Sequence, residues 1–157
     1  MKKDILYAVG CLTFCIMIGG AVYEHLNVVP TWAAAPPASL SMFQGKYGLK
    51  PELFWMLIHP VNLFFFVLNL IFHWKSARRK SLLIVSIGYV LILAITAAYF
   101  VPELLSITTT AFSDNYDTGL MKRAALWETL SLVRLSVLIV LAVTLMVGLA
   151  KSNKSAL

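Results

Sequence analysis

The chain has 157 residues, 60% of them hydrophobic and only 13% charged, with a mean hydropathy of +0.83. A water-soluble domain carries roughly 45–50% apolar and about 25% charged residues, so a soluble fold is excluded and the surplus apolar surface must face lipid. The formal charge of +6 does not point to nucleic acid, because Lys and Arg fall in short flanks between apolar runs, where anionic headgroups and topology account for them.

The first apolar run extends from Ile5 to Val29. Lys2 and Lys3 precede it as in a secretory signal, but the run exceeds the roughly 7–15 residues of a signal core. Ala33-Ala34-Ala35 resembles a cleavage site, yet Pro36 follows at once. The segment is therefore expected to stay as the first span. Cys11 and Cys15 lie four apart on one of its faces, in neither a C-x-x-C nor a zinc pattern, which suits small buried hydrophobes.

Pro30, Pro36 and Pro37 are expected to stop that helix and open an outer loop over 30–50. Trp32, Leu40, Met42, Phe43 and Tyr47 make this loop apolar enough to cap the bundle. A second span runs from Pro51 to Trp74 and a third from Ser81 to Val101, where Pro102 bends or ends it. A second outer loop covers 102–123, and the fourth span runs from Ala124 to Ala150. Each run meets the ~20 residues needed to cross the hydrocarbon. Only helices satisfy their own backbone there. The turn between the second and third spans is short, which makes those helices antiparallel neighbours. The sequence thus predicts an all-α integral membrane protein, a single up-down-up-down four-helix bundle over 1–157.

Orientation follows from the basic flanks. Lys2, Lys3, Lys75, Arg78, Arg79, Lys80, Lys151 and Lys154 fall on one side, which makes eight, against four on the other, Lys46, Lys50, Lys122 and Arg123. The side with eight is expected to be cytoplasmic, with both termini there, in a cell membrane. Trp32, Trp55, Trp74 and Trp127 are expected to form the interfacial aromatic belt.

Polar residues inside the spans mark where chemistry could reside. Glu52, Trp55, His59, Asn62, Phe66, Asn69 and His73 follow at alternating spacings of three and four, one stripe about 31 Å long on the second helix. On the first helix Gly20, Glu24 and Asn27 share a face, with His25 beside it. On the third, Tyr89, Thr96, Tyr99 and Glu103 align. On the fourth, Trp127, Ser131 and Arg134 align, with Glu128 at the edge.

Arg134 cannot shed its charge, and burying it unpaired near the bilayer centre costs at least about 2.5–3.5 kcal/mol. A carboxylate partner among Glu24, Glu103 and Glu128 is therefore expected. Pro60 follows His59 and removes a backbone hydrogen bond, which opens room beside the imidazole. Asn62 and Asn69 suit interhelical polar glue. The four helices are expected to converge on a polar chamber in the outer half, binding a small lipophilic molecule through Glu24, His25, Asn62, Tyr99, Glu103, Trp127, Glu128 and Ser131, with His59 and Arg134 at its centre. Other readings stay open: a non-enzymatic lipid binder or complex subunit, or a redox protein with haem or a metal held by His25 and His59, Glu24 serving as a further metal ligand. The Glu-x-x-His pairs of di-iron bundles are absent.

The first helix carries Gly19-Gly20 and leads to Val29-Pro30, and the fourth carries Arg123, Trp127 and Arg134 in Lys-Arg-Ala-Ala-Leu-Trp-Glu-Thr-Leu-Ser-Leu-Val-Arg. In these features the chain resembles a family of small four-helix membrane proteins grouped with the fungal anthrone oxygenases. The resemblance implies oxygenation of an acidic aromatic without an obvious metal: a base removes a proton from activated carbon, and the enolate reacts with O₂. His59 would then be the base, and Arg134 would hold the enolate oxygen in a low-dielectric pocket.

The basic asymmetry predicts that reporter fusions at Lys154 and at residue 115 report opposite sides of the membrane. Access to residue 115 from the cytoplasm alone would overturn this topology.

Overall fold

The computed structural model describes residues 1–115 and 117–151; Lys154, counted among the basic flanks, lies outside the described residues. Helix α1 (Lys2–Tyr23) passes through a π-turn (Glu24–Val28) into α2 (Val29–Ala33). Helix α3 (Glu52–His73) returns. Helix α4 (Arg79–Ile95) passes through a second π-turn (Thr96–Phe100) into α5 (Val101–Thr108), and α6 (Thr118–Ala150) closes the bundle. These make four runs long and apolar enough to cross a membrane, Lys2–Ala33, Glu52–His73, Arg79–Thr108 and Thr118–Ala150. Helix α1 packs on α3, α3 on α4, α4 on α6 and α6 on α1, a closed ring of antiparallel neighbours. Both ends of the described chain and the α3–α4 turn share one end, the terminal end. The opposite end is the loop end.

Two expected boundaries are corrected. Pro30 does not stop the first helix, nor Pro102 the third; each sits second in the helical segment that follows a π-turn. A proline ring collides with the carbonyl four residues back and offers no N–H to it. The π-turn supplies the bond from one residue earlier: the Val29 N–H donates to Glu24 O, and the Val101 N–H to Thr96 O, five residues back in both cases. The widened turn lets the helix run on, a π-bulge in the usual sense. Helix α6 also begins six residues before the expected Ala124, capped by Asp117, whose Oδ1 accepts from Gly119 and Leu120 N–H at 2.9 Å each. The expected loop 102–123 thus shrinks to 109–117. The 34–51 connection contains a 3₁₀ segment (Ala38–Phe43) that sinks Leu40 fully into the loop end.

The interior has two apolar cores. One holds Tyr7, Phe14, Met17, Phe66, Tyr89 and Leu145. The other, at the loop end, holds Val28, Trp32, Leu40, Phe100, Ile107 and Trp127. Trp32 and Trp127 meet edge to face at 5.6 Å and are buried, so they are core residues and not belt residues as expected. The 34–51 segment caps the loop end as expected, with Leu40, Met42 and Phe43 packed in the same core as both rings.

Arg78 locks the terminal end although it lies 5% exposed. Its Nη1 donates to Asp4 Oδ1 at 2.7 Å, its Nε to Lys151 O at 3.0 Å and its Nη2 to Leu149 O at 3.1 Å. Nη1 also lies 3.4 Å from His73 Nε2, while His73 Nδ1 stands 3.0 Å from Asn69 O. Only the neutral Nδ1–H tautomer satisfies both contacts. One guanidinium thereby joins α1, α3 and the end of α6. Tyr7 adds a bond from its hydroxyl to Leu145 O at 3.0 Å, and its ring stacks against Arg78.

Replacing Arg78 with Met leaves two carbonyls without their donors and removes one of the two cations beside Asp4, the other being the N-terminal amine. The variant should lose at least about 2–3 kcal/mol of stability, because each buried carbonyl left without a donor costs about 1–3 kcal/mol. Asp4→Asn should cost much less, because that side chain is 42% exposed and water screens it. Denaturant unfolding in micelles checks the order; Arg78→Met as mild as Asp4→Asn would refute it.

Candidate functional site

Between the two apolar cores lies a polar layer, and the π-turns create it. An extra residue in a turn rotates everything beyond it by about 100°, one helical position. In the first span this places Val28, Val29 and Trp32 in the interior while Asn27 turns outward, exposed, donating to Tyr23 O of its own helix. Asn27 therefore leaves the face it was expected to share with Glu24. Glu24 and His25 stay half-buried in the turn itself. In the third span the second π-turn sets Thr96 and Phe100 beside Arg134.

The stripe on α3 is largely as expected. Asn62, Phe66, Asn69 and His73 are buried, Trp55 and His59 half-buried, and only Glu52 at the helix start is exposed. Trp55 Nε1 donates to Glu24 Oε1 at 2.8 Å. The Trp55 indole stacks on the His59 ring at 5.5 Å and 25°. His59 Nδ1 lies 2.7 Å from the Tyr89 hydroxyl, which is wholly buried against Phe14 and Phe66. A continuous chain of contacts therefore runs Glu24, Trp55, His59, Tyr89 across three spans.

Asn69 behaves as glue, donating to Leu6 O on α1 at 3.2 Å and to Phe65 O at 2.9 Å. Gly10 makes room for it, since a methyl there would stand 2.8 Å from the amide nitrogen. Asn62 departs from that role. It is completely buried and close enough to the Tyr89 hydroxyl to polarise it, but neither its Nδ2 nor its Oδ1 makes a hydrogen bond of good geometry. An unmet amide of this kind costs about 1–3 kcal/mol. His25 Nδ1 is likewise buried and unbonded.

Arg134 corrects the expected ion pair. Its Nη1 donates to Thr96 Oγ1 at 3.0 Å, its Nη2 to Ser131 Oγ at 2.9 Å, and its Cζ stands 4.1 Å over the Phe100 ring. Among the described residues no carboxylate comes within 4.0 Å of it. Glu103 is taken instead by Arg123, in a bidentate pair at 2.7 and 3.0 Å that also engages Ser106. Because the third helix continues through Pro102, Glu103 stands about two turns beyond Thr96, the partner of Arg134, and meets the start of α6. Glu24 and His59 lie within Coulomb range of Arg134 without touching it, and Glu128 within range of His25.

The structure thus gathers Glu24, His25, His59, Asn62, Ser131 and Arg134 into the polar layer, with Glu128 at its edge. It places Tyr99 and Trp127 in the loop-end core above, where Trp127 Nε1 donates to Phe100 O at 2.9 Å. Glu103 is outside the layer. No group of three or more His, Cys, Asp or Glu side chains able to hold a metal occurs among the described residues. Phe100 was missed, and so were the π-turns. The repeated Val-Pro at 29–30 and 101–102 was the available signal. Comparisons of the chain with protein-family models, with curated proteins and with solved structures return no match.

Without a counter-ion, Arg134 costs the fold energy instead of supplying it. Arg134→Leu should leave thermal stability in detergent unchanged or raise it slightly, by about 1 kcal/mol at most so near the edge of the hydrocarbon. The freed Thr96 and Ser131 hydroxyls can turn back to carbonyls of their own helices. A large loss of stability would show instead that the guanidinium is a structural tie.

Proposed function

We propose that this membrane protein binds a small lipophilic molecule carrying an acidic group in the polar layer beneath the loop end. The arrangement of Arg134 carries the reading. A guanidinium offers five N–H donors and a full charge. Here its contacts are two neutral hydroxyls and an aromatic face. An anion seated against the free edge would supply the missing charge. The unbonded Asn62 amide and His25 Nδ1 lie in the same layer and would take up further polar atoms of such a ligand. The rings of Trp55 and Phe100 border the same layer, and would suit a ligand with a flat, apolar body.

The depth of the site fits entry from the loop end. From Arg79 to Thr96 the rise is about 26 Å. With the terminal-end cations at one headgroup layer, Arg134 comes near the opposite edge of the ~30 Å hydrocarbon. The eight-to-four basic asymmetry supports placing the terminal end in the cytoplasm, so that the ligand would arrive from the outer leaflet. The oxygenation implied by the family resemblance would in addition need His59 to take a carbon-bound proton. With Nδ1 engaged by Tyr89, Nε2 is the ring atom left for it.

The test is thermal stabilisation of the purified protein by lipophilic phenols, hydroxyaromatic acids and quinones, each acid beside its neutral methyl ester or ether. Wild type should be stabilised by acids and not by their neutral counterparts. Arg134→Leu should lose the effect, and Arg134→Lys should weaken it about tenfold or more in Kd, because lysine lacks the planar fork. His59→Ala should lower affinity while the protein stays folded. Equal stabilisation by acids and neutral analogues, or binding unchanged in Arg134→Leu, would sink the reading.

A further inference from the structure

A second feature, at the opposite end and independent of the polar layer, points to a lipid. An open groove of about 630 Å³ runs along the outer side of α4 where it meets α6. Arg79 and Lys80 stand at its mouth, and below them the walls are Leu83, Ile84, Ile87 and Leu91. Gly88 and Leu141 form the floor: the leucine side chain lies over the glycine, where a methyl would meet it at 3.0 Å. The missing side chain at 88 is what lets the floor sink.

We propose that this groove holds one anionic phospholipid of the leaflet at the terminal end. The length is right: from Lys80 to Leu91 the helix rises about 16 Å, half of the ~30 Å hydrocarbon, which is one leaflet. The order of chemistry along it is that of a phospholipid, cations first and an unbroken apolar track after. Arg79 is held in place by stacking over Trp74 at 4.8 Å. Arg78 is committed to Asp4 and the end of α6, so it does not compete for the phosphate. A second copy of the chain would have to bring its own counter-charge to Arg79 and Lys80, whereas an anionic headgroup carries it.

The experiment is native mass spectrometry of the full chain, delipidated and then offered phosphatidylglycerol or phosphatidylcholine in matched micelles. Wild type should retain one phosphatidylglycerol with a preference of about 25-fold, taking roughly fivefold for each basic residue near the headgroup. The double variant Arg79→Gln/Lys80→Gln should lose that preference, while Lys75→Gln, a nearby cation outside the groove, should keep it. Ile87→Trp, at a position 59% exposed, should fill the acyl track and reduce retention of both lipids without unfolding the protein. Equal preference in the double variant and in Lys75→Gln would overturn the proposal. So would a photo-crosslinker at position 84 that captures a second copy of the chain in bilayers and not lipid, since the face would then be a protein interface.

Discussion

Arg78 is the tie on which the arrangement of the helices depends. Lipid tails are as apolar as the leucines and valines facing them, so burying apolar surface between helices gains little in a membrane. Packing and polar contacts must fix which helix lies where. At the terminal end one buried guanidinium reaches the start of α1, the last turn of α3 and the carbonyls that end α6. The α6 carbonyls have no intrahelical partner at a C-terminus, so a cation there answers both the geometry and the helix dipole. Lys151 adds to the same end through its Nζ bond to Ser81 Oγ at 3.0 Å. With the ends pinned, Tyr7 and Asn69 set the register of α1 against α6 and α3.

The loop half is organised differently. Both outward-running spans carry a π-turn immediately before a Val-Pro pair, at nearly matching distances from the terminal end. Each turn widens its helix, offers polar side chains to the interior, and then rotates the following segment so that aromatic residues bury in the loop-end core. The polar layer therefore lies between two apolar cores and does not open freely to water. Charges in such a layer act at a low effective dielectric, where a hydrogen bond or an ion is felt strongly and a mismatch is costly.

The sequence carried the spans and the α3 stripe because both rest on local rules. Four apolar runs of sufficient length are read from composition, and the stripe from Trp55 to His73 from a spacing that an unbroken α-helix preserves. Pro60 does not interrupt that spacing, since α3 stays α-helical through it. What failed failed where the helix is not regular. Treating Pro30 and Pro102 as stops cut two helices short, moved Glu103 into the site and turned Asn27 inward. Arg78 was counted as a topological flank charge, because nothing in a run of basic residues tells which of them will be buried. The partner of Arg134 was misjudged for a related reason: the rule that a buried arginine finds a carboxylate does not say which glutamates the register makes available.

Arg78 and Arg134 are held in different ways within one fold. Both guanidiniums lie against an aromatic ring, Tyr7 for Arg78 and Phe100 for Arg134. Arg78 has an aspartate, two carbonyls and an imidazole nitrogen, and its neighbourhood is closed by protein atoms alone. Arg134 has two hydroxyls, and the carboxylate nearest in effect, Glu24, is occupied by the Trp55 indole. A bundle that needed Arg134 only as a tie could have released Glu24 to it across the same layer. Instead Glu24 Oε1 accepts from Trp55, whose indole stacks on His59. A cation met only by two hydroxyls and a ring, with the nearby Glu24 engaged by Trp55, is the observation on which the proposed acidic ligand rests.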